Sequence, residues 1–549
     1  MKKLVTLLLV CLLGLNLYSA AANEWPEKYP VIPTQATEET YSYDDMSQRY
    51  DIELLVVGYI NVDVEPDPVE KNIEDKFNID ITYNAMSGGD LESVLMTRFA
   101  SGDAPDMVKF GNKNLALQLF NEGMLMNPEP LLQYMPTVKQ YITKNFKAYV
   151  TDRETSEMFA LTQLGGPNIW GYYYRSDWLK KFDMEPPTTR EEIIEYAKKC
   201  TFDDPDGNGI DDTWFMGAAG NGQGFGMLES FRSMFGHPSY NVVDGKINHP
   251  MLDGTTKAYL EFLHELYTLG VLSPDFYTID WESFKSYTMA DKIGMVNYPG
   301  DQLLTEYLSA KGGLAGVDDV QANIVTWMPL PAAPSISKDI EGKYPPAGSP
   351  DGIWIFNVDL LENEGKMKRL AHLVDWMSYP NEGFFQTQHS GDPSLYVDYT
   401  DIWPWNTSLE WNIGYNPETG KYVWDWSALE ADPLGTPVSQ SHNNMGLHDW
   451  QALNLQYTYK EYTHEVYGAQ QNYNNDTVSA LPRWENNDLL LSLDADTATA
   501  VQNFATENQI LFVMGQKSFD EWDTYLSDWL SRGGEALLQE AAEQLGAER

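Results

Sequence analysis

Between Ile52 and Phe110 the spacing of apolar residues switches repeatedly between two periods, and this constrains the fold more than any other feature. Ile52 to Tyr59 reads as a strand. Asp67-Pro68 then opens a helix with Val69, Ile73 and Phe77 on one face, because Asp caps an N-terminus and Pro is tolerated in the first turn. Ile79, Ile81 and Tyr83 alternate as a strand. Leu91, Val94, Leu95 and Phe99 return to helical spacing, which stops near Gly102. Met107 to Phe110 is a short strand. This β-α-β-α-β order predicts a mostly parallel sheet with helices on both faces. Ligands of such sheets sit at the carboxyl ends of the strands. Those ends carry Tyr59-Ile-Asn61, Asn84 to Gly89 and Phe110-Gly-Asn112.

A second unit starts near Ile169. Trp170 to Tyr174 is strand-like and Ser176 to Phe182 is a short helix. Thr189-Arg-Glu-Glu192 is a capping box that opens a helix running to Cys200. Further helices are expected over 255–269 and 363–378, with strands over 293–298 and 352–356. From about Tyr399 to Ser479 the chain is aromatic and irregular. A second capping box, Ser518-Phe-Asp-Glu521, starts a helix with Trp522, Leu526 and Trp529 on one face.

Asp204-Pro-Asp-Gly-Asn-Gly-Ile-Asp-Asp-Thr213 has the front of a calcium loop. Side-chain oxygens fall at positions one, three, five and nine (Asp204, Asp206, Asn208 and Asp212), and Gly209 stands at six, where such loops turn sharply. Ile210 at seven offers its backbone carbonyl. A plain acidic turn draws on the same residue types. Position twelve is Phe215, without the bidentate Glu of an EF-hand, and Thr213 to Gly217 reads as a strand. The spacing therefore predicts a fixed structural calcium clip and not a switch.

Lys2 and Lys3 precede an apolar run from Leu4 to about Leu17, followed by Ser19-Ala-Ala-Ala22. This is the pattern of a signal peptide over 1–22, and the run is too short to span a bilayer. Cys11 lies inside the run behind Val10, which does not fit lipoprotein processing, so a free periplasmic or extracellular protein without a lipid anchor is expected. Cleavage would leave Cys200 as the only cysteine and exclude an intrachain disulfide. Cys200 shares a helix face with Ile193, Tyr196 and Ala197 and reads as core filling.

The 549 residues are enough for two or more domains. With 81 acidic against 36 basic residues, the net charge of −45 argues against a nucleic-acid partner, which needs a basic surface. The chain holds 17 Trp, 33 Tyr and 21 Phe, many in polar company, as in Ile402-Trp-Pro-Trp405 and Tyr422-Val-Trp-Asp-Trp426. Aromatic faces with polar rims are how proteins hold sugar rings.

Several segments, in order, resemble the family 1 extracellular solute-binding proteins of bacterial ABC importers, especially the large oligosaccharide-binding and lipoprotein-like branch. They are Ala100 to Val108, Tyr173 to Lys181 with Met184 to Thr189, the loop from Asp204, Gly352 to Phe356 with Leu373 to Met377 and Asn381-Glu-Gly383, and Val513 to Trp522. The resemblance implies an α/β chain of the two-lobed periplasmic-binding-protein type II fold. After an extended leader (23–48), lobe one is expected from 49–166 plus 291–347, and lobe two from 167–290 plus 348–549. It implies a monomer that captures a carbohydrate or another small solute between closing lobes and delivers it to a membrane permease.

Candidate ligand residues in lobe one are Tyr59, Asn84, Ser87, Gly88, Asp106 and Asn112. Near the crossings they are Trp170, Arg175, Tyr298 and Trp354. Aromatic rings would stack, while Asn, Asp and Arg would bond hydroxyls or a carboxylate. Asp106 equally suits a turn beside Pro105, and Arg175 suits an ion pair with Asp177 or another acid. A secreted polysaccharide-active enzyme, a glycoside hydrolase or lyase with calcium, is the rival reading; a hydrolase needs two opposed carboxylates, and the sequence singles out no such pair. A passive carbohydrate adhesin would favour a β-sandwich over alternating strands and helices. No HExxH, Gly-x-Ser-x-Gly or phosphate-loop motif occurs.

Overall fold

A computed structural model of the chain describes residues 36–57, 68–142, 144–164, 170–300, 326–346, 350–378, 480–487 and 493–549, less a few single positions, plus isolated residues between them. The expected signal segment, Tyr59, Ser87 and nearly all of 399–479 lie outside the described residues. Among the described residues no helix is long and apolar enough to cross a membrane.

The first unit follows the predicted alternation. β1 (Tyr50–Val57) is followed by α1 (Pro68–Phe77), β2 (Ile79–Met86), α2 (Gly88–Ser101), β3 (Met107–Phe110) and α3 (Lys113–Asn121). β1 pairs in parallel with β2 and β3. Leu54, Leu55 and Val56 are all buried, as in a strand covered on both faces. β4 (Leu161–Leu164) completes the sheet through a strand from far along the chain. That strand (Pro350–Phe356) lies antiparallel between β3 and β4, in the order β2-β1-β3-(350–356)-β4.

In the second unit, β5 (Trp170–Arg175) runs into α4 (Ser176–Phe182) and α5 (Arg190–Phe202), and α5 carries the predicted capping box of Thr189 and Glu192. α6 (Thr255–Leu269) and α7 (Trp281–Met289) follow, then β6 (Met295–Pro299), β7 (Trp327–Pro329) and β8, the inserted strand just described (350–356). β5 is the centre of a three-stranded sheet, antiparallel to both β6 and β7. The parallel arrangement expected of each lobe therefore holds over β2-β1-β3, whereas the first sheet becomes mixed at the inserted antiparallel strand and the described part of the second sheet is antiparallel. α8 (Glu364–Trp376) joins the first core, with Leu370, Leu373, Val374 and Trp376 buried there. The closing helix α9 (Ala495–Val513) packs on α6, and α10 (Trp522–Trp529) and α11 (Glu535–Leu545) add buried residues to the same second core. Trp522 and Trp529 are buried and Leu526 packs beside them, as their spacing predicts.

Strand pairing corrects two expected boundaries. Residues 291–347 were expected in lobe one, yet β6 and β7 pair with β5 of lobe two. Residues 348–378 were expected in lobe two, yet β8 and α8 belong to the sheet and core of lobe one. The chain thus passes between lobes after β4, returns before β8, and passes again between Leu447, buried in the first core, and Val478, buried in the second unit. The expected strand over 213–217 is reduced to two single bridges, Trp214 to Ile293 and Met216 to Leu272.

Residues 36–49, expected only as an extended leader, dock on α8. The hydroxyl of Tyr41 donates to Asp375 Oδ2 at 2.8 Å, and Tyr43 Oη lies 2.9 Å from His372 Nδ1. Arg369 donates to the Asp45 and Phe77 carbonyls.

Candidate functional site

β5 begins with Trp170 at the point where the chain enters lobe two, and β6 lies beside it with Trp170 opposite Pro299. Trp170 keeps 38% of its surface exposed, although the next five residues of the strand are buried. Its ring centroid is 6.0 Å from that of Trp281, which opens α7. Trp281 in turn lies 4.9 Å from the ring of Tyr298 on β6. The three rings form a ladder running from the surface into the lobe-two core. Beside it lies a cavity of about 330 Å³ lined by Trp170, Gly226, Met227, Ser230, Asn297 and Pro345. An aromatic face, apolar carbons, a hydroxyl and a carboxamide therefore meet in one hollow, the mixture that holds a polyhydroxylated ring.

Among the sequence-predicted residues, Trp170 and Tyr298 belong to this ladder. Tyr298 is buried, its ring lies under Trp281, and its hydroxyl donates to Glu306, so it backs the exposed rings. Burial and the Glu306 carboxylate push its ionisation far above the ordinary phenol range. Trp281, Met227, Ser230 and Asn297 were missed by sequence reading. Trp281 carried a signal, as an aromatic residue behind the N-cap Asp280; the others became visible only through the pairing of β5 with β6.

Other candidates have partners that hold the fold. Arg175 is buried, and its guanidinium donates to Asp177 and Asp291 and lies 4.7 Å from the Trp178 ring. Its charge is spent inside lobe two, as the ion-pair alternative had it. Trp354 lies fully buried in the lobe-one core, with Lys109 Nζ 4.7 Å from its ring. Asp106 precedes β3, at the opposite end of that strand from a ligand cleft. It accepts the Glu53 N–H and pairs with Lys366 at 2.6 Å, and burial raises its carboxyl above the ordinary value. Asn112 caps α3 through Leu115 N–H and donates to Glu92. Asn84, on β2, donates to Glu53, which Arg98 clamps from the other side. Gly88 opens α2. Asn84, Gly88 and Asn112 share the carboxyl-end rim of the first sheet; Asp106 does not.

The acidic loop folds on itself. Gly209 N–H donates to Asp204 Oδ2 and Ile210 N–H to Asn208 Oδ1, while the Ile210 carbonyl accepts from Asp212 N–H. Among the described residues, no three or more acidic, histidine or cysteine groups converge as a metal shell would. Two observations still bear on a cation. Asp204 Oδ1 is shielded from solvent without a hydrogen-bond partner. The Lys292 ammonium sits on Asp212 at 2.6 Å and on Asp206 at 3.3 Å. Its hydrogen bond holds the Asp212 carboxyl below the ordinary value, and Asp212 raises the lysine. Oxygen donors of a kind that suits calcium are present, one of them unsatisfied, and a positive charge already occupies the edge.

The two lobes, the split sheets and the open aromatic hollow define a solute-binding protein, and sequence comparison agrees. Residues 63–357 match the bacterial extracellular solute-binding protein family, and the chain belongs to it. The sequence is 34% identical over 208 residues to lipoprotein LipO of Bacillus subtilis, covering 36% of this chain and 39% of that protein. It is 26% identical over 218 residues to the fructooligosaccharide ABC transporter substrate-binding protein FusA of Streptococcus pneumoniae, covering 36% and 40%. The chain thus aligns with about two fifths of the length of these relatives. Among solved structures, the alginate-binding protein AlgQ2 superimposes with a TM-score of 0.64 over 92% of this chain and 99% of that one, at 17% identity. That identity establishes a shared fold.

Proposed function

We propose that the protein captures an oligosaccharide between its two lobes and hands it to the membrane permease of an ABC importer. The observation that carries this reading is the Trp170 face, left open at the mouth of a hollow that also presents Ser230 and Asn297. A ring stacked on Trp170 would meet polar groups at its rim, and Asn84, Gly88 and Asn112, at the carboxyl-end rim of the first sheet, would supply the lobe-one side of the site. FusA, named for fructooligosaccharides, and AlgQ2, named for alginate, share the fold and support a carbohydrate. Closure would be favoured only by contacts that both lobes make to the same ligand.

The same proposal includes calcium at the loop. Asp204, Asp206, Asn208 and Asp212 would supply side-chain oxygens, and Ile210 its carbonyl, with Lys292 displaced from Asp206 and Asp212. The ion would cross-link a loop that no disulfide secures: Cys200 is the only free cysteine among the described residues, and it is buried. Export to the cell exterior follows from the family, and the leader strapped to α8 fixes where any N-terminal tether would leave lobe one.

The test is a titration with kestose and with oligogalacturonate while tryptophan fluorescence is followed for hours. A saturable change that stays constant supports capture and reports whether the ligand is neutral or acidic. A change that decays as sugar is consumed would mark an enzyme and overturn the reading.

A further inference from the structure

A buried hydroxyl next to the hollow is left without a partner. Tyr172 follows Trp170 by two positions on β5 and pairs across the strands with Asn297. Alternate residues of a strand share a face, and so do residues directly opposite each other in an antiparallel pair. Trp170, Tyr172 and Asn297 therefore stand on one face of β5 and β6, the face on which Asn297 lines the hollow. Tyr172 is fully buried, with its ring 4.6 Å from that of Phe231 and 6.0 Å from that of Tyr344. Its Oη is shielded from solvent and meets no hydrogen-bond partner among the described residues.

Ser230 adjoins both the phenol and the hollow. It lies on a 3-10 helix (Gly226–Met234) whose Gly226, Met227 and Ser230 line the cavity. Burial pushes the Tyr172 phenol well above its ordinary range, and the Ser230 hydroxyl beside it pulls the other way. No hydrogen bond closes between the two; the Ser230 hydroxyl donates instead to the Met227 carbonyl across a long 3.4 Å. Serine is both donor and acceptor, so after a small side-chain turn its oxygen can accept from Tyr172 while its proton points into the hollow. A buried hydroxyl left unpaired costs stability that phenylalanine in the same space would not. A ligand that takes the Ser230 proton makes the turn favourable and offsets that cost.

We propose that Tyr172 is a positioning residue of the sugar site: on binding, its phenol donates to Ser230 Oγ and aims the Ser230 proton at an acceptor oxygen of the ring stacked on Trp170. Two residues of strand span roughly 7 Å, so a ring that stacks on Trp170 and leans inward brings its far edge level with Tyr172. Two hydrogen bonds in series polarise the outer donor, which makes Ser230 a stronger donor than an isolated serine. The hollow then selects a ring that offers an acceptor oxygen at this edge over one that lacks it, because without the acceptor both hydroxyls stay poorly paired. This inference rests on the capture reading.

The experiment is a double-mutant cycle of Y172F, S230A and Y172F/S230A. It is read by calorimetric titration with a panel of neutral and acidic oligosaccharides that includes kestose and oligogalacturonate, and by thermal melts without sugar. The sugar that binds wild type most tightly is the probe. S230A is expected to weaken its binding by about five- to tenfold, Y172F by about three- to fivefold, and the double variant no more than S230A alone. Without sugar, Y172F is expected to melt at or above the wild-type temperature, since it removes an unpaired buried hydroxyl. Wild-type affinity in either single variant overturns the proposal, and so do losses that add in the double variant. A Y172F that melts lower or fails to fold overturns it as well, by making the phenol an ordinary structural contact. These outcomes leave carbohydrate capture standing, whereas a wild-type protein that binds no sugar of the panel refutes the capture reading and this proposal with it.

Discussion

The Lys292 ammonium donates to Asp212 Oδ2 across 2.6 Å, and its 3.3 Å contact to Asp206 places the same charge between two of the loop's proposed calcium ligands. Lys292 leads into β6, the strand that carries Asn297 and Tyr298, so the loop is tied to the sheet that bears the aromatic ladder. Calcium and the ammonium would compete for the same oxygens. Replacing Lys292 with Met should strengthen calcium binding by about two- to fivefold, the modest effect of one solvent-exposed charge. The calcium-free variant should melt at a lower temperature than the calcium-free wild type, because its acids then face each other uncompensated. Calorimetric titration with calcium and thermal melts in chelator check both expectations. Unchanged affinity in the variant would place calcium elsewhere or exclude it.

Asp375 gives a pH signature. Its carboxylate is fully buried and accepts from Tyr41 Oη and from the N–H groups of Thr137 and Val138. Burial outweighs these bonds and pushes its pKa up to about 6, above the usual aspartate range. The folded state therefore holds this proton more tightly than the unfolded chain. The group's contribution to stability is fully present below about pH 4 and is lost as pH rises through about 6. Asn at 375 can still accept from the two N–H groups but does not titrate. Relative to wild type, D375N should gain about 2 kcal/mol between pH 4 and pH 7. Urea melts of both proteins across that range check the slope, and parallel curves would show that Asp375 is not perturbed.

Close packing at Gly294 yields a paired prediction. A Cβ there would lie 2.4 Å from Cys200 Sγ and 3.2 Å from the Trp178 ring. Gly294→Ala should therefore destabilise the protein by about 1–3 kcal/mol through overpacking. Removing the sulfur in the double variant G294A/C200A should recover part of that loss, so the two changes are non-additive. Chemical denaturation of the two single variants and the double one measures the coupling. Strict additivity would mean that α5 and the strand do not approach as described.

These cases show what was readable in the chain and what was not. Strand and helix identity over 50–121 came from local periodicity, and both capping boxes were visible because their signal spans four residues. The ownership of β6, β7 and β8 could not be read in the same way. Each is a short apolar run, and nothing local tells Ile353 to pair with Phe110 or Tyr174 with Met295. The candidate site residues divide on the same line. Trp170 was legible as an aromatic residue at a crossing, whereas Asn297 became a neighbour of Trp170 only through register. Asp106 and Arg175 were ambiguous in sequence because a ligand and an internal counter-ion call for the same residue types. Lys366 and Asp291, which lie 260 and 116 positions away, are the counter-ions that sequence alone does not reveal.

Trp170 and Trp281 separate binding from folding. Trp170 has an open face, and its removal leaves the buried ladder members in place. Trp170→Ala should weaken binding of a captured oligosaccharide by about tenfold, through loss of one stacking surface. It should lower the unfolding free energy by only about 1–2 kcal/mol, less than the loss at Trp281, because part of the ring is already exposed. Trp281 lies between Trp170 and Tyr298 and also packs on Phe284 of its own helix, so Trp281→Ala should cost both affinity and about 2–4 kcal/mol of stability. Isothermal titration with the sugar found in the fluorescence panel, run beside denaturant melts, tests the division. Equal affinity in wild type and W170A would move the stacking surface away from β5 and sink the assignment of this hollow as the sugar site.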